Sequence, residues 1–341
     1  MQSRNKKLSD HPTFAECIRE ALIQKMTDDN TVICYGLGVN DPKRVFGTTS
    51  GLVERFGEER VFDMPTSENA MTGVGIGACL GGNRVVMTHQ RVDFFLLAMD
   101  QLVNSAAKWH YMFGGKMSVP ITIRLIIGRG WGQGPTHSQS LHSWFAHIPG
   151  LKVVMPTFPK DAKSLLIHSI HDPNPTLFLE HRWLHHTSWS PENGVEGVQI
   201  GQARVCREGN DLTIISMSYL TLEAMKACEY LEKSVGIHCE LIDLASIKPL
   251  DYETIFKSIR KTKGLLVLDI GHETCSVASD IISKVTRTNF EFLKLAPSSL
   301  AMPDIPEPTS HALTRNLYVR ALDIASHVMF MLGIKPDKQL S

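Results

Sequence analysis

The chain has 341 residues, enough for about two domains with a substantial hydrophobic core. Its 35 lysines and arginines balance 35 aspartates and glutamates, and this zero net charge gives no electrostatic basis for binding nucleic acid or an anionic membrane. The seven cysteines are scattered and mostly lie in apolar runs, which indicates reduced, buried thiols rather than a disulfide framework.

The N-terminal residues 1–10 are polar and lack the apolar core of a secretory signal peptide. No later stretch stays apolar over the length that a membrane-spanning helix requires. Together with the cysteine pattern, these observations predict a soluble protein of the cytoplasm.

The first half of the chain alternates helix-like and strand-like segments. An amphipathic helix is predicted at residues 13–28, where apolar side chains recur on one face. Further helices are predicted within residues 63–82 and at 93–112 and 160–171. Short apolar runs predict strands at residues 32–35, 61–63, 84–87, 121–127, 152–155 and 176–179. This alternation is typical of parallel strands with helices on both faces of the sheet.

A weakly patterned stretch rich in proline, glycine and glutamate, about residues 189–210, divides the chain. We predict an N-terminal domain over residues 1–190, a linker over 191–209 and a C-terminal domain over 210–341. In the second half, strands are predicted at 212–216, 239–242, 264–268 and 290–295, and helices at 220–234, 251–262, 276–286 and about 309–332. The predicted fold class is therefore α/β, with two doubly wound, mainly parallel-sheet domains.

The helix within residues 63–82 is built mostly from glycine and other very small residues. Each interior glycine costs about 1 kcal/mol relative to alanine, so this helix indicates close approach by another backbone, a partner chain or a flat ligand. Glu68 at its start would be desolvated in such a place, which raises a carboxylate's pKa and suits it to proton transfer. The alternative is structural: Thr66 or Ser67 caps the helix, and Glu68 complements its dipole.

The predicted helix at residues 93–112 is apolar around most of its circumference. Such a helix is buried on more than one side, which favours a subunit interface. The alternative is an ordinary central helix within one domain.

A glycine-rich loop at residues 128–140 follows the strand predicted at 121–127. It lacks the lysine and serine or threonine that end a P-loop, and its glycine spacing differs from the dinucleotide-binding fingerprint. The loop contains His137 beyond the carboxyl end of the strand, where α/β proteins place their sites. A surface histidine without catalytic function is the alternative.

Four segments occur in a specific order along the chain. They are Thr-Ser-Glu-Asn-Ala-Met-Thr-Gly-Val-Gly-Ile-Gly (66–77), Phe-Phe-Leu-Leu-Ala-Met-Asp-Gln-Leu-Val-Asn-Ser-Ala-Ala-Lys (94–108), Thr-His-Ser-Gln-Ser (136–140) and Pro-Gly-Leu-Lys-Val-Val-Met-Pro (149–156). The series resembles the beta subunit of the thiamine-diphosphate-dependent decarboxylase component of 2-oxoacid dehydrogenase complexes, of the pyruvate and branched-chain types. The resemblance extends from about residue 12 to residue 330 and includes a transketolase-like C-terminal domain.

This resemblance implies a role for individual residues. Glu68 matches the glutamate that hydrogen-bonds the aminopyrimidine ring of thiamine diphosphate and promotes the tautomer whose nitrogen removes the thiazolium proton. Phe94 matches an aromatic that packs on that ring, and Gln90 is a further expected cofactor contact. His137 matches the histidine that faces the substrate and the incoming lipoyl group.

The resemblance also implies ions and partners. Asp172 and Asn174 match a turn near which some members hold a potassium ion. Alpha subunits of the family hold Mg²⁺ and the diphosphate through a Gly-Asp-Gly motif, and this sequence contains no such motif. The resemblance therefore implies an alpha2beta2 assembly that acts on a small 2-oxoacid, with a lipoyl acyltransferase as a further partner.

Several segments depart from the family pattern. Acidic residues usual after the first strand are replaced by Gly-Leu-Gly at 36–38, and a Thr-Gly-Gly run in the C-terminal domain is replaced at 272–277. Arg91 and His89 stand where the family has aromatic or acidic residues, which predicts a substrate more polar or more anionic than pyruvate or a branched-chain oxoacid. The alternative function is a non-catalytic paralogue that serves in assembly, but joint retention of Glu68, Phe94 and His137 favours an enzyme.

Overall fold

The computed structural model of the chain describes residues 11–41, 43–129, 133–188 and 196–334. The polar N-terminal segment 1–10, residues 130–132 of the glycine-rich loop and residues 191–195 of the predicted linker lie outside the described residues. No helix in the described part is long and apolar enough to cross a membrane.

Twelve strands and twelve α-helices are found within these residues. The strands are β1 (Val32–Gly36), β2 (Val61–Asp63), β3 (Arg84–His89), β4 (Ile121–Ile127), β5 (Lys152–Val154), β6 (Thr176–His181), β7 (Arg204–Arg207), β8 (Leu212–Ser216), β9 (Cys239–Asp243), β10 (Ser246–Lys248), β11 (Leu265–His272) and β12 (Ser298–Met302). The helices are α1 (Phe14–Asp28), α2 (Leu52–Phe56), α3 (Glu68–Leu80), α4 (Val92–Phe95), α5 (Ala107–Met112), α6 (His142–His147), α7 (Pro159–His171), α8 (Leu220–Val235), α9 (Tyr252–Thr262), α10 (Val277–Asn289), α11 (His311–Thr314) and α12 (Ala321–Met331).

The strands form two sheets. The first has the order β10-β5-β6-β4-β3-β1-β2, and only β10 is antiparallel to its neighbour. The second has the order β12-β11-β8-β9-β7, with β7 antiparallel at one edge. The predicted fold class, two α/β domains with mainly parallel sheets, is confirmed.

Local sequence explains why the elements of the first domain form. At α1, the Thr13 hydroxyl accepts from the Glu16 backbone N–H and the Glu16 carboxylate accepts from the Thr13 backbone N–H, which makes a complete capping box. All seven residues of β4 are buried, as expected for a central strand of a parallel sheet covered on both faces. The one charged residue of β4, Arg124, is fully buried and donates to the Glu180 carboxylate at 2.6 Å and 3.0 Å. This pairing offsets the cost of placing an arginine in the core.

The structure corrects two predictions for the C-terminal domain. Residues 290–295 are not a strand: Phe290–Phe292 forms a 3₁₀ turn, and the strand that pairs with β11 is β12 at Ser298–Met302. The helix predicted at about 309–332 is two helices, α11 and α12, separated by a turn. The first error arose because alternating Phe, Glu, Phe and Leu resemble a strand locally, whereas strand pairing depends on a distant partner.

Two strands were not predicted at all. β7 lies within the predicted linker, and β10 lies in the C-terminal half but pairs with β5 of the first sheet. Both are three or four residues long and lie at sheet edges. The boundaries predicted at 190 and 209 stay predictions.

Candidate active site

The carboxyl ends of β2, β3 and β4 lie at one edge of the first sheet, because these strands run parallel. Each of these ends leads into one predicted site residue. Glu68 follows β2, Phe94 follows β3 and His137 follows β4. This edge is where open α/β sheets bind their ligands.

Glu68 is the first residue of α3 and is only 6% exposed. The preceding N-cap residue, Ser67, makes no side-chain capping hydrogen bond, whereas Glu68 lies in the first turn, where its charge complements the helix dipole. The Glu68 backbone carbonyl accepts a hydrogen bond from the Thr72 hydroxyl at 2.8 Å. No hydrogen bond or ion pair found among the described residues uses the Glu68 carboxylate. A buried carboxylate without such a partner is available to a ligand.

The small residues of α3 have two different surroundings. A Cβ atom on Gly75 would overlap the Tyr35 hydroxyl, which donates to the Met71 carbonyl at 2.8 Å. A Cβ atom on Gly77 would meet nothing within 4 Å, and the neighbouring Val74 is 53% exposed. The chain itself therefore accounts for Gly75, whereas the open side of α3 is free for a ligand or a partner chain.

Phe94 and His137 are brought together across the edge of the sheet. Their ring centroids lie 5.2 Å apart with the rings edge to face, a favourable aromatic geometry. Phe94 remains 37% exposed, so part of its ring is free to contact another flat group. A hydrogen bond joins the same two segments, because the Gln139 side-chain amide donates to the Asp93 carboxylate at 2.7 Å.

Arg91 is buried and binds the glycine-rich loop at two positions, one before and one after residues 130–132. One guanidinium nitrogen donates to the Gly128 carbonyl at 2.6 Å, and the other donates to the Gln133 side chain. Burial lowers the pKa of Arg91, and the nearby Asp93 carboxylate opposes that effect. Arg91 thus positions the loop that carries His137 and contributes a cationic charge beneath it.

His89 and Gln90, at the end of β3, have different surroundings. His89 is fully buried against Phe95, and neither ring nitrogen has a hydrogen-bond partner among the described residues. Burial lowers the pKa of His89 to about 4, so its imidazole is neutral near pH 7. The Gln90 amide lies against Gly38 in the loop after β1, where a Cβ atom would overlap it and where φ is +81°. Glycine is required at that position.

Glu307 is a buried carboxyl group that the sequence analysis missed. It accepts a hydrogen bond from the Tyr318 hydroxyl and lies within electrostatic range of Arg129 and Asp93 beside the glycine-rich loop. Burial raises the pKa of Glu307, although the Tyr318 hydrogen bond opposes the shift. No local pattern marks Glu307, because the C-terminal domain brings it to this edge from a distant part of the chain.

The turn that contains Asp172 and Asn174 is elsewhere. It precedes β6, so it lies at the amino end of that strand, opposite the edge that carries Glu68 and His137. No group of histidine, cysteine, aspartate and glutamate side chains among the described residues is arranged to hold a metal ion.

Two family models match the chain in succession. The first is the pyrimidine-binding domain of transketolase, over residues 10–186, and the second is the C-terminal domain of transketolase, over residues 201–324. The beta subunit of acetoin:2,6-dichlorophenolindophenol oxidoreductase from Cupriavidus necator is 37% identical over 312 residues, which cover 89% of this chain and 91% of that protein. The pyruvate dehydrogenase E1 beta subunit of Rickettsia bellii is 35% identical over 323 residues, 95% of this chain and 99% of that protein.

The chain belongs to this family of transketolase-like beta subunits. A further member, the pyruvate dehydrogenase E1 beta subunit of Rhizobium meliloti, is 38% identical over 297 residues, which cover 87% of this chain and 64% of that protein. A solved structure described as a split-gene transketolase in an inactive beta4 tetramer has a TM-score of 0.78 at 18% identity, and the match covers 96% of this chain and 100% of that one. That likeness shows the fold of the beta subunit.

Proposed function

We propose that this beta subunit forms one half of a thiamine-diphosphate-dependent 2-oxoacid decarboxylase of the dehydrogenase type, active only with an alpha partner. The observation that carries the proposal is the nearly buried Glu68 residue, whose carboxylate has no partner among the described residues, at the sheet edge shared with Phe94 and His137. Relatives named as pyruvate dehydrogenase and acetoin oxidoreductase beta subunits support the general class.

The described residues fit the aminopyrimidine part of thiamine diphosphate. Glu68 offers a carboxylate to a ring nitrogen, and the exposed part of Phe94 offers an aromatic face. In the part of the chain that the structure describes, Asp93 Oδ2 and Ser138 Oγ are buried at the same edge without hydrogen-bond partners. Buried polar atoms of this kind indicate that a polar ligand or ordered water belongs there. Gln90, which directly follows β3, is a further proposed contact.

The diphosphate and Mg²⁺ belong, in this proposal, to the alpha subunit. The expected assembly is alpha2beta2, with the cofactor between unlike chains and with a lipoyl acyltransferase as the acyl acceptor. The open side of α3 and its exposed Val74 support a partner chain at this edge. We place the complex in the cytoplasm.

Thiamine diphosphate, when bound, supplies the electron sink for decarboxylation of a 2-oxoacid. The beta subunit contributes proton control and orientation. With the cofactor bound, the Glu68 carboxyl group would hydrogen-bond the pyrimidine nitrogen, and the nearly buried position of Glu68 would strengthen that hydrogen bond because little water competes for it. Phe94 fixes the plane of the ring, while His137 faces the substrate as a hydrogen-bonding and proton-transfer group. Arg91 keeps the loop of His137 in place.

For the substrate, we propose a 2-oxoacid more polar or more anionic than pyruvate. Arg91 supplies positive charge beneath the loop, and Arg129, which donates to the Thr309 carbonyl at 2.8 Å, adds a second guanidinium beside it. His89 contributes packing rather than charge, because it is buried and neutral near pH 7.

The Glu68→Gln variant tests the proposal, because glutamine keeps the shape of glutamate and loses its proton chemistry. We expect 2-oxoacid decarboxylation by the reconstituted complex to fall by about 10²-fold or more, the range for losing a general acid–base group. Co-purification with the alpha subunit should be unchanged. The control is Glu59→Gln, which alters an exposed glutamate and should retain full activity. Unchanged activity of the Glu68→Gln complex would contradict the assigned role, and a wild-type complex without any decarboxylase activity would favour a non-catalytic assembly subunit.

A further inference from the structure

The carboxyl end of α7 is an electronegative site, because the last carbonyls of a helix have no partners within it. Helix α7 ends at His171, and Asp172 and Asn174 follow in the turn before β6. The resemblance predicted a potassium ion near this turn. Carbonyl oxygens of this kind are the ligands that potassium ions use.

Arg84 already binds the exposed carbonyls of this helix end. Its Nη1 donates to the carbonyl oxygens of Ile170 at 3.0 Å, His171 at 2.9 Å and Asp172 at 3.4 Å. Its Nε lies 3.6 Å from the Asp29 carboxylate, which partly neutralises the charge of the guanidinium. One side chain therefore serves all three carbonyls.

The carboxylate of the turn is occupied as well. Asp172 Oδ2 accepts from the Lys152 ammonium, and Asp172 Oδ1 accepts from the Asn174 backbone N–H at 2.9 Å. The Asn174 carbonyl in turn receives the Thr176 hydroxyl at 3.5 Å. Both oxygens of the carboxylate and the four backbone carbonyls of residues 170–172 and 174 thus have donors from the chain itself.

We propose that Arg84 and Lys152 are built-in cations that perform at this turn the electrostatic role of a monovalent metal ion. A potassium ion here would have to displace several donors at once and would lie beside two positive side chains. Two positive charges already face the two carboxylates of Asp29 and Asp172. The residues present do not fit a potassium ion, and the beta subunit needs none at this turn.

The position of this cluster gives it a structural consequence. Arg84 is the first residue of β3, Lys152 is the first residue of β5, and the turn leads directly into β6. The two cations therefore fix the amino ends of three strands of the first sheet against α7. The inference does not depend on the proposed activity, since it concerns stability alone.

Thermal unfolding of the purified chain tests the inference. Wild-type Tm should be the same in KCl, NaCl and tetramethylammonium chloride at equal ionic strength. Arg84→Met should lower Tm by about 2–4 °C, because it removes several hydrogen bonds from a charged group in a chain with a large unfolding entropy, and Lys152→Met should lower it in the same direction. The control Arg287→Met removes an exposed arginine of α10 and should leave Tm unchanged.

Two results would overturn the inference. One is a saturable rise in wild-type Tm with KCl that NaCl does not reproduce, since that would show a potassium site at work. The other is an Arg84→Met chain as stable as the Arg287→Met control. Because each readout is a melting temperature, failure of either kind leaves the proposed decarboxylase function untouched.

Discussion

The guanidinium of Arg91 is held inside the molecule by two acceptors on the loop that carries His137. The sequence predicted that Arg91 lies near the substrate as a source of positive charge. The structure adds a positioning role, because a forked guanidinium serves both acceptors at once and a lysine ammonium has no such fork.

Arg91→Ala should therefore lower turnover of polar 2-oxoacids in the complex, with both the charge and the hold on the loop removed. Loss of hydrogen bonds from a charged group should also destabilise the chain by about 1.5–3 kcal/mol, measured by denaturant unfolding. Arg91→Lys separates the two effects, since lysine keeps the positive charge but lacks the forked guanidinium. Turnover close to wild type would show that the charge of Arg91 matters for turnover. A loss similar to that of Arg91→Ala would show that the two hydrogen bonds to the loop matter. Unchanged turnover of every polar 2-oxoacid by Arg91→Ala would refute a substrate-side role.

The sequence predicted Glu68 from its position at the start of a helix of small residues and His137 from its position beyond a strand, whereas Phe94 was predicted from the family resemblance. Parallel strands then bring such residues to one edge without further information. Glu307 could not be found in this way, since its place depends on how the C-terminal domain packs on the glycine-rich loop. Nor could the sequence show that His89 is fully buried, because its side of β3 is decided by packing against Phe95.

Contacts within the chain explain only some of the small residues of α3, and the others leave a surface that is open for a partner. The small residues of this helix predicted close approach, and the Tyr35 hydroxyl provides that approach at Gly75. The opposite side, at Gly77 and Val74, is open in the single chain.

Gly75→Ala should destabilise the isolated chain by about 1–3 kcal/mol, the cost of overpacking a buried contact. Gly77→Ala is the matched control: it meets no atom within 4 Å and should stabilise the helix by up to about 1 kcal/mol. Denaturant unfolding of both variants measures the difference. Equal effects of the two substitutions would show that the Tyr35 contact does not constrain α3.

The long apolar segment predicted at 93–112 is helical throughout most of its length but irregular. A 3₁₀ turn at Leu96–Ala98 and a π-helix at Gln101–Ala106 lie between α4 and α5. One side packs into the core, whereas Tyr111 is 89% exposed. Periodicity predicts a helix here, but it cannot predict π-helical turns, which depend on packing around the segment.

The two domains are more closely joined than a linker between independent units suggests. β10 of the C-terminal half completes the first sheet, and His142 of α6 lies 2.8 Å from Asp269 of β11, with both side chains buried. Burial alone would raise the pKa of Asp269, but its interaction with His142 and the hydrogen bonds from the Gly271 and Ala278 backbone N–H groups lower that pKa overall. Such contacts between distant segments leave no local pattern, which is why the sequence showed two α/β domains but not how they interlock.

At the scale of the whole molecule, the exposed apolar side chains on the first domain support an assembly. Val74 and Leu97 are largely exposed on two neighbouring elements, α3 and the 3₁₀ turn at Leu96–Ala98, and adjacent exposed apolar groups mark interaction sites. Tyr111 and Met112 are also largely exposed. They are consistent with a chain that carries half of an active site and is completed by a partner.

The most direct measurement is to purify the tagged chain from its native host, identify co-purifying proteins by mass spectrometry and assay thiamine diphosphate in the complex. The half-site account predicts recovery of a subunit that bears a Gly-Asp-Gly motif, together with bound thiamine diphosphate. A chain recovered without such a partner and without thiamine diphosphate would contradict it.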